Sequence, residues 1–208
     1  MAQYPEVLYG FTSITYSPYA DRYRSALVLA IPYTKQLTLQ NYREAEFEEG
    51  IQGAHRKLEK LLAELRETLD RLGVNHWIPP MAQSSEKDLA APFSFKFAAV
   101  RAGLGWIGKN DVVITEKYGP RIRLCAVLID GAFSYGEPVE ESRCPADCRK
   151  CVDACPHKAL YNVTWNIHTL RNEIIDYQLC NQKRSLFIEK HGRKNACGLC
   201  LAACPFGI

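Results

Sequence analysis

The chain has 208 residues, a net charge of +3, and ordinary shares of apolar (47%) and charged (24%) side chains. These values allow one sizeable core or two small ones, and 26 basic against 23 acidic side chains argue against a dedicated nucleic-acid binder, which carries a strongly basic stripe. No apolar run nears the roughly 20 residues that cross a bilayer, and the start, MAQYPEVLYG, lacks the pattern of a secretory signal, so the expected location is the cytoplasm, with no membrane partner.

In chain order, SALVLAIPY (Ser25 to Tyr33) is a continuous apolar run that reads as a buried strand. A long helix is expected next. Phe47, Ile51, Ala54, Leu58, Leu61, Leu62, Leu65, Leu69 and Leu72 recur at steps of three and four, with Gly73 placed to cap the end. Gly50 and Gly53 weaken its first turns. VNHWI (Val74 to Ile78) is a short strand closed by two prolines. APFSFKFAAVRAG (Ala91 to Gly103) reads as a helix with Pro92 near its start and Gly103 at its end. DVVIT (Asp111 to Thr115) and RIRLCAVLID (Arg121 to Asp130) read as strands, and the turn chemistry of EKYGP predicts a hairpin between them. Cys125, alone in the second strand, reads as a small buried hydrophobe.

AGLGWIGKN (Ala102 to Asn110) contains a literal G-x-G-x-x-G in Gly103, Gly105 and Gly108. A dinucleotide fingerprint needs a strand before the first glycine, a helix after the last, and an acidic residue about 20 positions on. Here a helix precedes, a strand follows, and Arg121 and Arg123 stand where the acid should be. The stretch therefore serves another purpose, either as a tight turn with Trp106 packed in a core or as the edge of a different cofactor site.

Eight of the nine cysteines follow residue 140. Thiols stay reduced in the cytosol, so they need a reason other than disulfides. CPADCRKCVDACP supplies Cys144, Cys148, Cys151 and Cys155, and CGLCLAACP supplies Cys197, Cys200 and Cys204, with Cys180 upstream. The shared C-x2-C-x3-C-P core matches the two-cluster bacterial ferredoxin signature, apart from a widened gap between Cys144 and Cys148. In that signature the cysteine before proline ligates the other cluster. By that rule Cys144, Cys148 and Cys151 join Cys204 on one [4Fe-4S] cluster, and Cys180, Cys197 and Cys200 join Cys155 on a second. The alternatives are one cluster with a different second use, four-cysteine zinc sites, and disulfides. Lys183, Arg184, Lys190, Arg193 and Lys194, between Cys180 and Cys197, form either a solvated loop or a docking patch for an acidic ferredoxin or flavodoxin, or for a phosphate-bearing substrate. The five histidines lack ligand spacing.

KFAAVRAGLGWIGKN followed by two strands and the two cysteine runs resembles the epoxyqueuosine reductase family, which is related to the reductive dehalogenases. The resemblance implies an α+β fold: a nitroreductase-like, cobalamin-binding core over residues 1–135, then a ferredoxin-like double [4Fe-4S] domain over residues 136–208. It implies a corrinoid between the two, reduced through the clusters by a reduced ferredoxin or flavodoxin. On that reading Gly103, Gly105 and Gly108 let backbone approach the macrocycle, Trp106 and Ile107 supply apolar surface, and Lys96 and Lys109 meet its amide or phosphate groups. The family's acidic proton donor aligns with Leu89, and Asp88, one residue away, is the weak catalytic candidate. Many members carry a C-terminal extension that helps hold transfer RNA, whereas this chain stops four residues after Cys204, as a short relative would. The expected function is an iron-sulfur oxidoreductase that passes electrons to a bound corrinoid to reduce a small molecule or modified nucleoside. Two alternatives stand beside it: an electron-transfer protein without its own corrinoid, and an FMN-dependent reductase, because a nitroreductase-like core can also hold FMN.

Overall fold

β2 (Ser25–Pro32) is buried at all eight positions, as an unbroken apolar run requires of a strand covered on both faces. It pairs antiparallel with β1 (Leu8–Ser13) on one side and β6 (Ile122–Ile129) on the other. The far edge of β6 takes β3 (His76–Trp77), giving the order β1-β2-β6-β3. The computed structural model describes residues 3–81, 89–186 and 197–208, and over them the fold is a mixture of α and β with antiparallel strand pairs. β1 went unforeseen because its burial is only partial, which leaves no clean alternation to read. Cys125 sits on β6 opposite Leu29 and is 1% exposed.

α1 (Glu44–Arg71) buries Phe47, Ile51, Ala54, Leu58, Leu61 and Leu62 on one stripe. The stripe fades toward its end, and Leu72 lies beyond the helix, exposed. Gly73 takes φ 65° and donates its N–H to Asp70 O, while Val74 donates to Leu69 O, so the expected glycine cap is present. Gly50 has a packing reason. A Cβ there would meet the backbone of Lys35 at 3.2 Å, and the Gly50 carbonyl accepts from Thr34 N.

α2 (Phe95–Arg101) is shorter than the span expected from Ala91. Ser94 is its N-cap and accepts from Phe97 N, so the helix begins after Pro92 rather than around it. Ala98, Ala99 and Val100 are buried, and α2 packs on β1, β2 and β6. Gly103 follows with φ 73°.

The expected hairpin between Asp111–Thr115 and Arg121–Asp130 does not form. β5 (Val113–Ile114) pairs backward with β4 (Trp106–Ile107), while β6 goes to the centre of the larger sheet. The turn between them closes on itself, with Thr115 and Gly119 exchanging backbone hydrogen bonds of 3.0 and 2.8 Å. The physical reason is burial. β6 is apolar enough to be covered by strands on both sides, and two-residue β5 has too few ladder bonds to hold it back.

The chain divides into two compact units. One holds residues 1–33, 52–105 and 122–139 and contains the larger sheet and α2. The other holds residues 34–51, 106–121 and 140–208. The second unit is thus more than a cysteine-bearing tail, for it takes in two earlier stretches of chain, and one of these begins at Trp106 inside the glycine-rich stretch.

Candidate metal centre

Within the second unit each cysteine run folds around a single helical turn. α3 (Lys150–Asp153) carries Cys151 and α6 (Leu199–Ala202) carries Cys200; the two turns pack together. Cys148 N donates to Pro145 O, Cys155 N to Val152 O, and Cys204 N to Leu201 O. Cys155 and Cys204 therefore each stand just past their helical turn, beyond α3 and α6. α4 (Arg171–Ile174) leads into α5 (Tyr177–Ser185), which carries Cys180.

A cavity is lined by Cys144, Cys148 and Cys151 of the first run and by Cys204 of the second. The other four cysteines also form a neighbourhood. Cys155, Cys180 and Cys200 pack against a small core of Cys151, Ala159, Leu160 and Ile175. The Cys200 thiol is pushed well up by burial first, then by Cys197, Cys151, Cys180 and Cys155 beside it. Cys151 is pushed up to about 12 by burial, with Cys204, Cys144 and Cys148 adding to it. Cys204 rises to about 11 by burial, held back by a hydrogen bond at Phe206 and by Arg121. All nine cysteines are free of disulfides. Among the described residues no three His, Cys, Asp or Glu side chains gather closely enough to hold a single metal ion; the thiols surround space rather than a point. Buried thiols that resist ionisation beside one another form a donor set that needs a cationic group to replace their protons. That chemistry fits two thiolate-bound clusters.

Two cations and two neutral donors face the backbone of these runs. Lys109 is 2% exposed and donates from Nζ to Ala146 O at 2.8 Å and Cys148 O at 3.0 Å. Asn110 Nδ2 donates to Cys200 O at 3.3 Å. Tyr42 donates its hydroxyl to Cys197 O, and burial, with Cys197 second, holds its phenol well above the ordinary range. Arg121 is 1% exposed and donates from Nη1 to Leu201 O at 2.9 Å and Cys204 O at 3.3 Å, and from Nη2 to Phe206 O. Its Nε reaches Gln36 Oε1 at 3.2 Å. Burial lowers the guanidinium's hold on its proton and Cys204 raises it. Arg121, Asn110 and Tyr42 were not foreseen, because a single polar residue beside an apolar run gives no sign of what it reaches 80 or more positions away.

The glycine-rich stretch is occupied largely by its own unit. Trp106 is fully buried and meets the Phe206 ring edge-on at 4.9 Å between centroids. Ile107 is buried. A Cβ on Gly108 would strike the Ile114 side chain, with Asn110 Oδ1 at 2.8 Å. A Cβ on Gly103, in the other unit, would meet Glu137 O at 2.7 Å. These glycines have packing reasons inside the chain, and Trp106, Ile107 and Lys109 are buried. Lys96 lies half-buried on α2. Leu89, at the family's acid position, is buried with φ 49°. Asp88 lies outside the described residues, as do Lys190, Arg193 and Lys194 of the basic stretch.

No family model matches the chain. An epoxyqueuosine reductase of Lactococcus garvieae is 28% identical over 173 residues, 79% of this chain and 45% of that protein. A tetrachloroethene reductive dehalogenase of Dehalobacter restrictus is 34% identical over 104 residues, 48% of this chain and 18% of that protein. The chain thus spans less than half the length of these curated relatives. Among solved structures, the epoxyqueuosine reductase of Streptococcus thermophilus superposes with a TM-score of 0.54 at 20% identity, covering 90% of this chain and 50% of that one. A reductive dehalogenase described by a mechanism for B12-dependent dehalogenation superposes at 0.58 and 17% identity, covering 88% of this chain and 25% of that one. An epoxyqueuosine reductase holding an epoxyqueuosine-modified transfer RNA stem loop shares the fold at 0.51 and 20% identity, over 89% of this chain and 49% of that one.

Proposed function

We propose that this homologue of the epoxyqueuosine reductases, related also to the reductive dehalogenases, is an iron-sulfur oxidoreductase that carries electrons through two [4Fe-4S] clusters. The observation that carries the reading is the cavity lined by three cysteines of the first run and the last cysteine of the second. The clusters would supply one-electron transfer; the chain's own residues position the thiols, exclude water and hold the loops. Cys144, Cys148, Cys151 and Cys204 would hold one cluster, and Cys155, Cys180, Cys197 and Cys200 the other. A reduced ferredoxin or flavodoxin is the donor proposed from the basic stretch that includes Lys183. A corrinoid as acceptor, and a modified nucleoside or small molecule as substrate, are supported by relatives alone, so no step is drawn through them.

A second reading is favoured by one observation: Trp106, Ile107 and Lys109 are enclosed in the unit that holds the cysteines. This would suit an electron-transfer protein that serves a separate enzyme.

One experiment separates the two. The chain is reconstituted with iron and sulfide without oxygen, then passed through gel filtration after incubation with hydroxocobalamin or FMN. About eight iron atoms per chain, four for each cluster, support the cluster reading, and about four overturn the pairing. Retained cobalamin with a base-off spectrum supports a corrinoid enzyme, retained FMN a flavin reductase, and retention of neither the electron-transfer reading.

A further inference from the structure

Buried cations are costly unless something repays their desolvation, so their distribution around the two cysteine sets is informative. The buried polar and charged residues of the second unit include two cations, Lys109 and Arg121. Among the described residues neither is in an ion pair with a carboxylate. Both bind main-chain oxygens of the set lining the cavity: Lys109 bonds Cys148 O and Ala146 O, and Arg121 bonds Cys204 O and the carbonyls of Leu201 and Phe206. Lys109 also lines the cavity. The facing carbonyls of the other set are met by neutral donors, Asn110 at Cys200 and Tyr42 at Cys197. Of the remaining charges, Asp111 is buried but paired with Arg171 at 3.2 Å, and Arg143 is paired with exposed Glu116 at 2.9 Å. Hydrogen bonds and net charge around a cluster set its potential, and a fixed positive charge favours the more negative, reduced state.

We infer that Lys109 and Arg121 make the Cys144/Cys148/Cys151/Cys204 site the better electron acceptor of the two, so that an electron moves from the Cys155/Cys180/Cys197/Cys200 site to it. In that step the second site is oxidised by one electron and the first reduced by one, with an external reduced ferredoxin-type donor refilling the second. Both residues act as positioning residues through the charge they fix, not by contact with a reacting atom. The inference rests on the proposal that the two sites hold clusters.

The test is a redox titration followed by electron paramagnetic resonance on the reconstituted full chain. Cys180→Ala isolates the first cluster and Cys148→Ala the second, which assigns the two potentials. The expected result is that the first cluster is reduced at the higher potential. Lys109→Gln keeps donors for the two carbonyls while removing the charge. It is expected to shift the partition of a single electron at least tenfold toward the second cluster, about 59 mV for a one-electron couple, while Lys109→Arg restores it. A higher potential at the second site, or a Lys109→Gln chain with two clusters and an unchanged partition, overturns the inference while leaving the cluster reading intact. A Lys109→Gln chain that fails to assemble leaves the decision to the ordering in the unsubstituted chain. A chain that binds no iron removes both.

Discussion

Lys109 bonds the carbonyl of Cys148 while its neighbour Asn110 bonds the carbonyl of Cys200. Two consecutive side chains at the end of the glycine-rich stretch thus reach the two cysteine runs, one each. The stretch that mimics a nucleotide fingerprint is a brace for the cysteine framework, and Gly103 and Gly108 serve the approach of chain to chain.

This role predicts the effect of Gly108→Ala. The added methyl would collide with Ile114 and crowd Asn110 Oδ1 at 2.8 Å. Overpacking of this kind costs about 1–3 kcal/mol. The loaded chain should melt at a lower temperature and release iron sooner. Adding Ile114→Val, which deletes the terminal methyl in the way, should recover part of the loss. An unchanged melting midpoint for Gly108→Ala would remove Ile114 as the reason for the glycine.

The crossing of the runs predicts which cysteine variants behave alike. Cys155→Ala should resemble Cys180→Ala, although Cys155 belongs to the first run. Cys204→Ala should resemble Cys144→Ala, although Cys204 belongs to the second. Each variant should keep about four of about eight iron atoms. Electron paramagnetic resonance of the surviving cluster decides the matter, and spectra that pair by run instead of by site would refute the crossing.

What could be read in the sequence follows range and periodicity. β2 and α1 repeat an apolar pattern over many residues, and both elements stand where the pattern places them. The cysteine spacing is equally local, and the cavity that Cys144, Cys148, Cys151 and Cys204 line joins residues of both runs. The failures are non-local. β5 and β6 have strand composition, but composition does not name a partner, and β5 chose β4. Arg121 is followed by an apolar strand and looks like a solvated strand end, yet its guanidinium reaches carbonyls at residues 201, 204 and 206. The stretch from Trp106 to Asn110 was legible as unusual, but its use depends on the cysteine loops it meets.

Cys125 should be chemically silent in the folded chain. It is 1% exposed on the central strand β6, and burial pushes its thiol far above the ordinary range, with Arg123 only partly opposing. The folded-state value is raised, so the stability contributed by the protonated thiol is complete below its ordinary pKa and is lost as pH rises through the folded one. Cys125→Val should therefore flatten the loss of stability between pH 9 and 10 by up to about 1.4 kcal/mol per pH unit. In cluster-loaded chain at pH 8, iodoacetamide should label Cys125 only after denaturant is added, as read by mass spectrometry of the peptide. Rapid labelling in the native chain would contradict its place in the sheet.

Gly198 provides the most selective test of how the second run is shaped. It lies between Cys197 and Cys200 with φ 75°, at the entry of α6, a conformation that costs an L side chain roughly 1–2 kcal/mol. A Cβ there would also run into the ring of Phe47, whose Cδ1 lies 2.6 Å away. Phe47 is on the buried stripe of α1 and 1% exposed, so the ring has little room to yield. Gly198→Ala should therefore displace the turn presenting Cys197 and Cys200, lowering occupancy of the second cluster while the first is largely kept. Phe47→Leu in the same chain should remove the steric part and leave the backbone part, giving partial recovery. Iron content and the two resonance signals measure this directly. Equal loss of both clusters in Gly198→Ala would show that the turn supports the unit as a whole rather than the site it carries.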